Sequence, residues 1–116
     1  RAARVGEEVR RELMDLVMRG RLKDPATRGM VVCAVAVSGD LQIATVYVRT
    51  LEDADDRRKQ RLVAGLERAA GFLRREIGKT LELRRTPEFR FVWDDSIDHG
   101  ARIERLLDEI ADGDEA

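Results

Sequence analysis

The chain has few of the residues that build covalent or metal-bound frameworks. Its 116 residues include one cysteine, one histidine and two prolines, so it can form no internal disulfide and offers no cluster of zinc ligands. The single cysteine, Cys33, lies in an apolar run, where a buried and unreactive thiol is expected. It also lacks the GxxxxGKS phosphate loop and the GxGxxG dinucleotide motif. These absences argue against zinc-dependent, nucleotide-hydrolysing and dinucleotide-dependent enzymes.

Long apolar segments are missing as well. No stretch approaches the 18 apolar residues that a membrane-spanning helix needs, and no signal-peptide core is visible, so we expect a cytoplasmic protein without membrane contact. The one histidine, His99, lies between Asp98 and Gly100, a polar setting that is typical of a surface residue and not of a general base. We therefore predict a protein that is not an enzyme and uses no cofactor, metal or small-molecule substrate.

Charge is abundant and unevenly distributed. Charged residues make up 39% of the chain, with a net charge of −1. Residues 57–90 carry eleven Arg or Lys against four acids, and residues 1–28 carry eight against five, whereas residues 29–56 and 94–116 are acidic. Most of the basic residues are arginines, which suit bidentate phosphate contacts. The basic segments favour a nucleic-acid partner, although charge runs also commonly solvate helix faces.

The apolar periodicity predicts a mixed chain of helices and strands. The chain is predicted to begin with a helix over 2–19, followed by strands over 30–37 and 41–50 that are joined by a turn. A long helix then begins between residues 53 and 56 and ends near residue 83. A strand over 89–93 and a short helix over 97–110 complete the predicted elements. The small residues Ala69, Ala70 and Gly71 are expected to break the long helix. We predict one domain over residues 1–110, followed by an acidic, disordered tail over 111–116.

This order places the chain in the α+β class. The predicted topology is α-β-β-α-kink-α-β with a short C-terminal helix, giving a small three-stranded sheet covered by helices on one face. It matches a type II KH-like domain, in which RNA meets a GxxG loop between two helices. The chain has no GxxG there; the break at Ala69-Ala70-Gly71 stands in its place.

Several short motifs carry a resemblance along nearly the whole chain. They are Arg4-Val5, Lys23-Asp24-Pro25 and residues 44–48, 69–74, 83–91 and 94–96, followed by Gly100 and Ile103. In this order and spacing, the sequence resembles the ribosome-binding factor A family from residue 1 to about 107. It departs from that family in having Ala2 where many members have proline, and in its short C-terminal extension.

The resemblance implies a non-enzymatic factor that binds the immature small (30S) ribosomal subunit near its decoding region. Such a factor assists assembly of the subunit and maturation and processing of 16S rRNA, and it supports growth in the cold. The family replaces GxxG with an Ala-x-Gly kink, which Ala69, Ala70 and Gly71 fit. A second hypothesis is a protein–protein interaction adaptor with an exposed apolar patch. A third, a stand-alone KH-like binder of single-stranded RNA, is disfavoured by the missing GxxG and scarce aromatics.

We predict binding by phosphate contacts beside the break. An RNA backbone would approach free amides of Ala70 and Gly71 at a helix N-terminus, with nearby cations on its phosphates. Arg90 would continue this surface toward the third strand. A second patch along the first helix would comprise Arg1, Arg4, Arg10, Arg11, Arg21 and Lys23. Phe89, Phe91 and Trp93 are expected in the core, and the protein is expected to be a monomer. The predicted RNA- and ribosome-binding residues are Arg4, Arg10, Arg11, Lys23, Arg68, Ala69, Ala70, Gly71, Arg74, Arg75, Lys79, Arg84 and Arg85.

Overall fold

A computed structural model describes residues 1–96 and Leu107. Its elements are α1 (Ala2–Met18), a 3-10 turn (Pro25–Thr27), β1 (Met30–Val37), β2 (Ile43–Thr50), α2 (Asp56–Thr80) and β3 (Glu88–Trp93). This order confirms the predicted α+β class. The predicted helix over 97–110 and the acidic tail lie outside the described residues, apart from Leu107, so the division into a domain and a tail stays a prediction.

The three strands form one mixed sheet in the order β1-β2-β3. β1 pairs with β2 in antiparallel fashion, and β2 pairs with β3 in parallel. Parallel strands need a crossover connection, which α2 provides. The pairing slips at Cys33: Val32 faces Val48, while Ala34 faces Tyr47. This bulge changes which side chains of β1 point inward, from even-numbered before it to odd-numbered after it.

Both helices cover the same face of the sheet. Along β2 and β3, Val46, Val48 and Phe91 point inward and are buried, whereas Arg90 and Val92 point outward and are exposed. α1 packs on β1, and α2 packs on β3 and on the 3-10 turn. The predicted sheet with helices on one face is confirmed. The buried core consists of Val9, Leu13, Leu16, Met30, Val32, Ala44, Val46, Val48, Leu62, Leu66, Leu73, Ile77, Phe89 and Phe91.

α1 lies very close to the sheet because of one glycine. Gly6 is buried, and a Cβ added there would stand 2.5 Å from the carbonyl oxygen of Val35 in β1. The helix is followed by Gly20 in the left-handed region at φ +68, as expected for a C-terminal cap. Only glycine at position 6 allows this approach between α1 and β1, because any other residue type would add the Cβ.

α2 is one continuous helix, so the break predicted at Ala69-Ala70-Gly71 is wrong. It runs through 25 residues, and the Asp55 carboxylate caps its start by accepting a hydrogen bond from the Arg58 N–H at 2.8 Å. A glycine in a helix interior costs about 1 kcal/mol against alanine. Buried residues on both sides of it, Leu66 and Leu73, hold the helix against the sheet, and this burial outweighs that cost.

Candidate nucleic-acid interface

An open depression lies on the C-terminal half of α2, where several of the predicted binding residues are found. Its volume is about 510 Å³, and it is lined by Gly71, Arg74, Arg75, Gly78, Lys79, Leu83 and Thr86. A Cβ added at Gly71 would meet no atom within 4 Å. Gly71 therefore leaves the helix backbone uncovered between cationic side chains.

The uncovered backbone offers no free amide. Because α2 continues through residues 69–71, the N–H groups of Ala70 and Gly71 belong to the hydrogen-bonding pattern of the helix interior. The predicted anion site at a helix N-terminus is therefore wrong. Ala69 and Ala70 are partly buried and pack against the core, so of the three predicted small residues Gly71 alone is exposed on the helix surface.

Four cations that have no partner among the described residues lie in this depression or in the one next to it. Arg75, Lys79, Arg84 and Arg85 are exposed, and none of them makes a hydrogen bond or ion pair with another residue in the described part of the chain. Arg84 and Arg85 line a second depression, which shares Leu83 with the first and also includes Arg1, Asp40, Leu41 and Gln42. We call these four cations the basic surface; they are available to bind an anion.

Arg74 has a different role from its neighbour Arg75. Its guanidinium donates hydrogen bonds to the carbonyl oxygens of Thr86, at 3.1 Å, and Pro87, at 3.3 Å. Close by, a Cβ added at Gly78 would lie 2.5 Å from the hydroxyl oxygen of Thr86. These two contacts hold α2 against the segment that enters β3. Arg74 thus positions the walls of the depression while its charge is already engaged.

The predicted residue Arg68 is bound to the loop before β1. Its guanidinium donates to the Asp24 carboxylate at 2.8 and 2.9 Å. A hydrogen bond from the Ala26 N–H, followed by the one from Arg68, lowers the pKa of Asp24 below its ordinary value. The Arg68 side chain is still 62% exposed. Lys23, next to Asp24, has no hydrogen-bond or ion-pair partner within the described residues.

The predicted second patch on α1 is compensated by acids of the same helix. Arg4 lies 3.7 Å from the Glu8 carboxylate, and Arg10 and Arg11 both contact Glu7. The hydrogen bond from Arg10 is the main cause that lowers the pKa of Glu7. The structure therefore places these arginines together, but as ion pairs along a helix, which present much less positive potential than unpaired cations.

Two further predicted cations lie away from the basic surface. Arg90 points to the outward face of the sheet, opposite the helices, so it does not extend the basic surface as expected. Arg21 lies over the Phe72 ring, 5.4 Å from its centroid, and 3.8 Å from the Glu76 carboxylate. It connects the end of α1 to α2.

Sequence reasoning missed two exposed arginines near the start of α2. Arg57 and Arg61 are exposed and have no partner among the residues that the structure describes. Residues seven apart on a helix lie within about 20° of each other. The seven-residue spacing of Arg61, Arg68 and Arg75 in the sequence indicates that they share one face of a helix. It was missed because the expected break divided the helix between them.

Exposed apolar residues do not gather in one place within residues 1–96. Met18 and Leu51 are 81% and 82% exposed, and Val92 is 42% exposed. They belong to α1, to the segment after β2 and to β3. Phe89 and Phe91 are buried, as expected, with their rings edge to face at 6.2 Å, whereas Trp93 is only half-buried at the margin of the core. Apolar docking and base stacking thus have little support in this part of the molecule.

The described residues contain no group of three or more His, Cys, Asp or Glu residues arranged to hold a metal ion. None of their helices is long and apolar enough to cross a membrane.

Comparison with known proteins identifies one family. The family model described as Ribosome-binding factor A matches residues 1–107. The solution NMR structure of a Thermotoga maritima protein, described as a putative ribosome binding factor A, is 33% identical with a TM-score of 0.67, covering 78% of this chain and 83% of that one.

Two further structures share the fold at lower identity. The crystal structure of ribosome-binding factor A from Thermus thermophilus is 24% identical with a TM-score of 0.67, covering 79% of this chain and 94% of that one. A homology model of the Thermus thermophilus factor, fitted into a cryo-EM map of its complex with the 30S subunit, is 23% identical with a TM-score of 0.64, covering 81% of this chain and 96% of that one.

Proposed function

Because the chain belongs to the ribosome-binding factor A family, we propose that it binds the small ribosomal subunit and assists its assembly and the processing of 16S rRNA. It acts without catalysing a reaction, as a monomer in the cytoplasm. The observation that carries this proposal is the basic surface, whose four cations have no partners within the described chain and flank an uncovered stretch of helix at Gly71. A similar fold in the Thermus thermophilus complex with the 30S subunit supports it.

The basic surface binds RNA through phosphates. Arg75 and Lys79 lie one helical turn apart on the exposed side of α2, and each can contact a phosphate oxygen by a charge-assisted hydrogen bond. Gly71 removes the side chain that would otherwise keep the RNA backbone away from the helix. Arg84 and Arg85 add charge beyond the end of α2. Contacts of this kind position a structured RNA and carry little base specificity.

The adaptor hypothesis receives less support. An adaptor needs a contiguous apolar surface, whereas the strongly exposed apolar residues of the described chain lie on different elements. A binder of unpaired bases needs exposed aromatic rings, and Phe89 and Phe91 are in the core. The arrangement of free charge thus favours a structured ribosomal RNA.

Binding to purified small subunits tests the first part of the proposal. We expect the protein to co-sediment with 30S subunits at low salt and to be released as salt increases, because each phosphate contact displaces bound counterions. For four contacts, the logarithm of the binding constant should fall with the logarithm of salt concentration with a slope of about −3. A protein that stays in the supernatant at low salt, or whose binding ignores salt, would contradict the proposal.

Processing of 16S rRNA tests the second part. We expect expression of the chain in a bacterium that lacks its own family member to lower the fraction of precursor 16S rRNA, measured by primer extension at its 5′ end. Arg75→Glu/Lys79→Glu should not do so, whereas Arg90→Glu, on the opposite face of the sheet, should act like the natural sequence. Equal processing with the double variant would show that the basic surface is not required.

A further inference from the structure

The exposed side of α2 carries cations along its whole length, far beyond the basic surface. Counting from the helix start, they are Arg57, Arg61, Arg68, Arg75 and Lys79. Their separations of four and seven residues place all five within a sector of the helix about 40° wide, with Arg57 and Arg75 at one edge and Arg61 and Lys79 at the other. From Arg57 to Lys79 this row measures about 33 Å at 1.5 Å per residue. We call it the α2 arginine row.

The row remains uncovered because neighbouring elements pack on either side of it. The loop before β1 lies on one side, where Asp24 meets Arg68. The segment entering β3 lies on the other, where Thr86 meets Arg74 and Gly78. Arg57, Arg61, Arg75 and Lys79 are exposed without partners in the described chain, and Arg68 is 62% exposed despite its ion pair.

Small residues alternate with the arginines on the same side of the helix. Ala64 and Gly71 are seven residues apart, as are Arg61, Arg68 and Arg75. An extended ligand can therefore lie close to the helix axis while long side chains reach around it. Phe72 and Trp93, the aromatic residues nearest the row, are half-buried under Arg21 and Lys59, so the row offers charge and little stacking surface.

Acidic residues lie at the N-terminal end of the α2 arginine row. Asp53, Asp55 and Asp56 precede Arg57, and the Asp55 side chain is occupied as the cap of the helix. Glu67 lies at the margin of the row beside the groove that Trp93 borders. Positive potential therefore rises from the start of α2 toward the basic surface.

We propose that α2 binds an RNA strand lengthwise, with its phosphates contacting Arg57 and Arg61 in addition to the basic surface. This inference rests on the proposed function and extends it to the N-terminal half of α2. A straight row of cations about 33 Å long matches a continuous sugar–phosphate backbone, which presents regularly repeated negative charge along such a length. Arg68 exchanges its Asp24 contact for a phosphate or binds both.

Neutralising the two arginines tests this geometry. For binding to purified 30S subunits, we expect Arg57→Gln/Arg61→Gln to make the slope of the logarithm of the binding constant against the logarithm of salt concentration shallower by about 1.4 to 1.8. This change corresponds to two lost phosphate contacts. Glutamine keeps a high helix propensity, so the fold should be unaffected, and circular dichroism would verify this. The matched control is Arg90→Gln, an exposed cation on the opposite face of the sheet, which should leave the slope unchanged.

The same titration with Arg75→Gln/Lys79→Gln separates this inference from the proposed function. Suppose that Arg75→Gln/Lys79→Gln has a shallower salt dependence of binding, while Arg57→Gln/Arg61→Gln has the slope of the natural sequence. The RNA then contacts only the C-terminal half of α2, and the lengthwise arrangement is overturned. If neither variant changes the slope, the basic surface itself fails as the binding site. A reduction in both variants, without one in Arg90→Gln, supports a contact along the whole row.

Discussion

Arg75→Glu/Lys79→Glu should weaken binding to the small subunit by about 100-fold or more. The side chains of Arg75 and Lys79, which have no partner within residues 1–96, line the depression beside Gly71. Hydrogen bonds to charged groups contribute about 1.5 to 3 kcal/mol each, so two lost contacts amount to at least about 3 kcal/mol, before the repulsion between the new carboxylates and phosphate is counted. A binding titration with fluorescently labelled protein at fixed salt measures the change.

The choice of Lys79 instead of Arg74 keeps this experiment free of a folding effect. Arg74 donates to the carbonyl oxygens of Thr86 and Pro87, so its reversal would disturb the approach to β3 as well as the charge. Neither Arg75 nor Lys79 contacts another described residue by a hydrogen bond or ion pair. Urea unfolding of the double variant should therefore match that of the natural sequence within about 0.5 kcal/mol. Undiminished affinity would exclude this part of α2 from the interface.

Gly6→Ala should destabilise the fold by about 2 kcal/mol. The new methyl group would stand 2.5 Å from the carbonyl oxygen of Val35. That oxygen belongs to a sheet strand, so α1 must shift away from β1 and loosen the packing of Val9 and Leu13, both buried. Overpacking of this kind costs about 1 to 3 kcal/mol or more, which exceeds the gain of about 1 kcal/mol from replacing glycine in a helix. Urea unfolding monitored by circular dichroism measures the loss.

Gly71→Ala is the matched control, since it makes the same chemical change in the other helix. A Cβ at Gly71 would meet nothing within 4 Å, so helix propensity acts alone and we expect a gain of about 0.5 to 1 kcal/mol. The two substitutions should thus have opposite signs. If Gly6→Ala is also stabilising, α1 does not approach β1 as closely as described.

Local patterns were sufficient to predict the sheet and the first helix. β1 was predicted over 30–37, and it spans Met30–Val37 because a run of β-branched residues favours a strand wherever it packs. The turn predicted between the first two strands contains Ser38-Gly39-Asp40, residue types that favour turns, and Asp40 accepts hydrogen bonds from the Ser38 hydroxyl and the Gln42 N–H. Such features depend on neighbours a few residues away, which a sequence displays directly.

The sequence did not allow us to predict which glycines and arginines of α2 make contacts with other elements and which face solvent. The glycines of α2 have three different environments: Gly65 lies against Ala26, Gly78 against Thr86, and Gly71 against solvent. A glycine in a sequence does not show which of these applies, because the contacting residue is distant in the chain. The distinction between Arg74 and Arg75 has the same origin, since the carbonyl groups that bind Arg74 lie 12 and 13 residues further on.

The crossover between β2 and β3 determines how α2 meets a ligand. A helix that joins two parallel neighbours in one sheet is held at both ends, because the connections over residues 51–55 and 81–87 link α2 to β2 and β3. Arg74 adds a further attachment near the C-terminal end. α2 is therefore anchored at both ends, and in the proposed complex the RNA would be the partner that adjusts its course and bears the entropy of that adjustment. We expect such a surface to favour RNA that already follows the matching path, by shape and without reading a base.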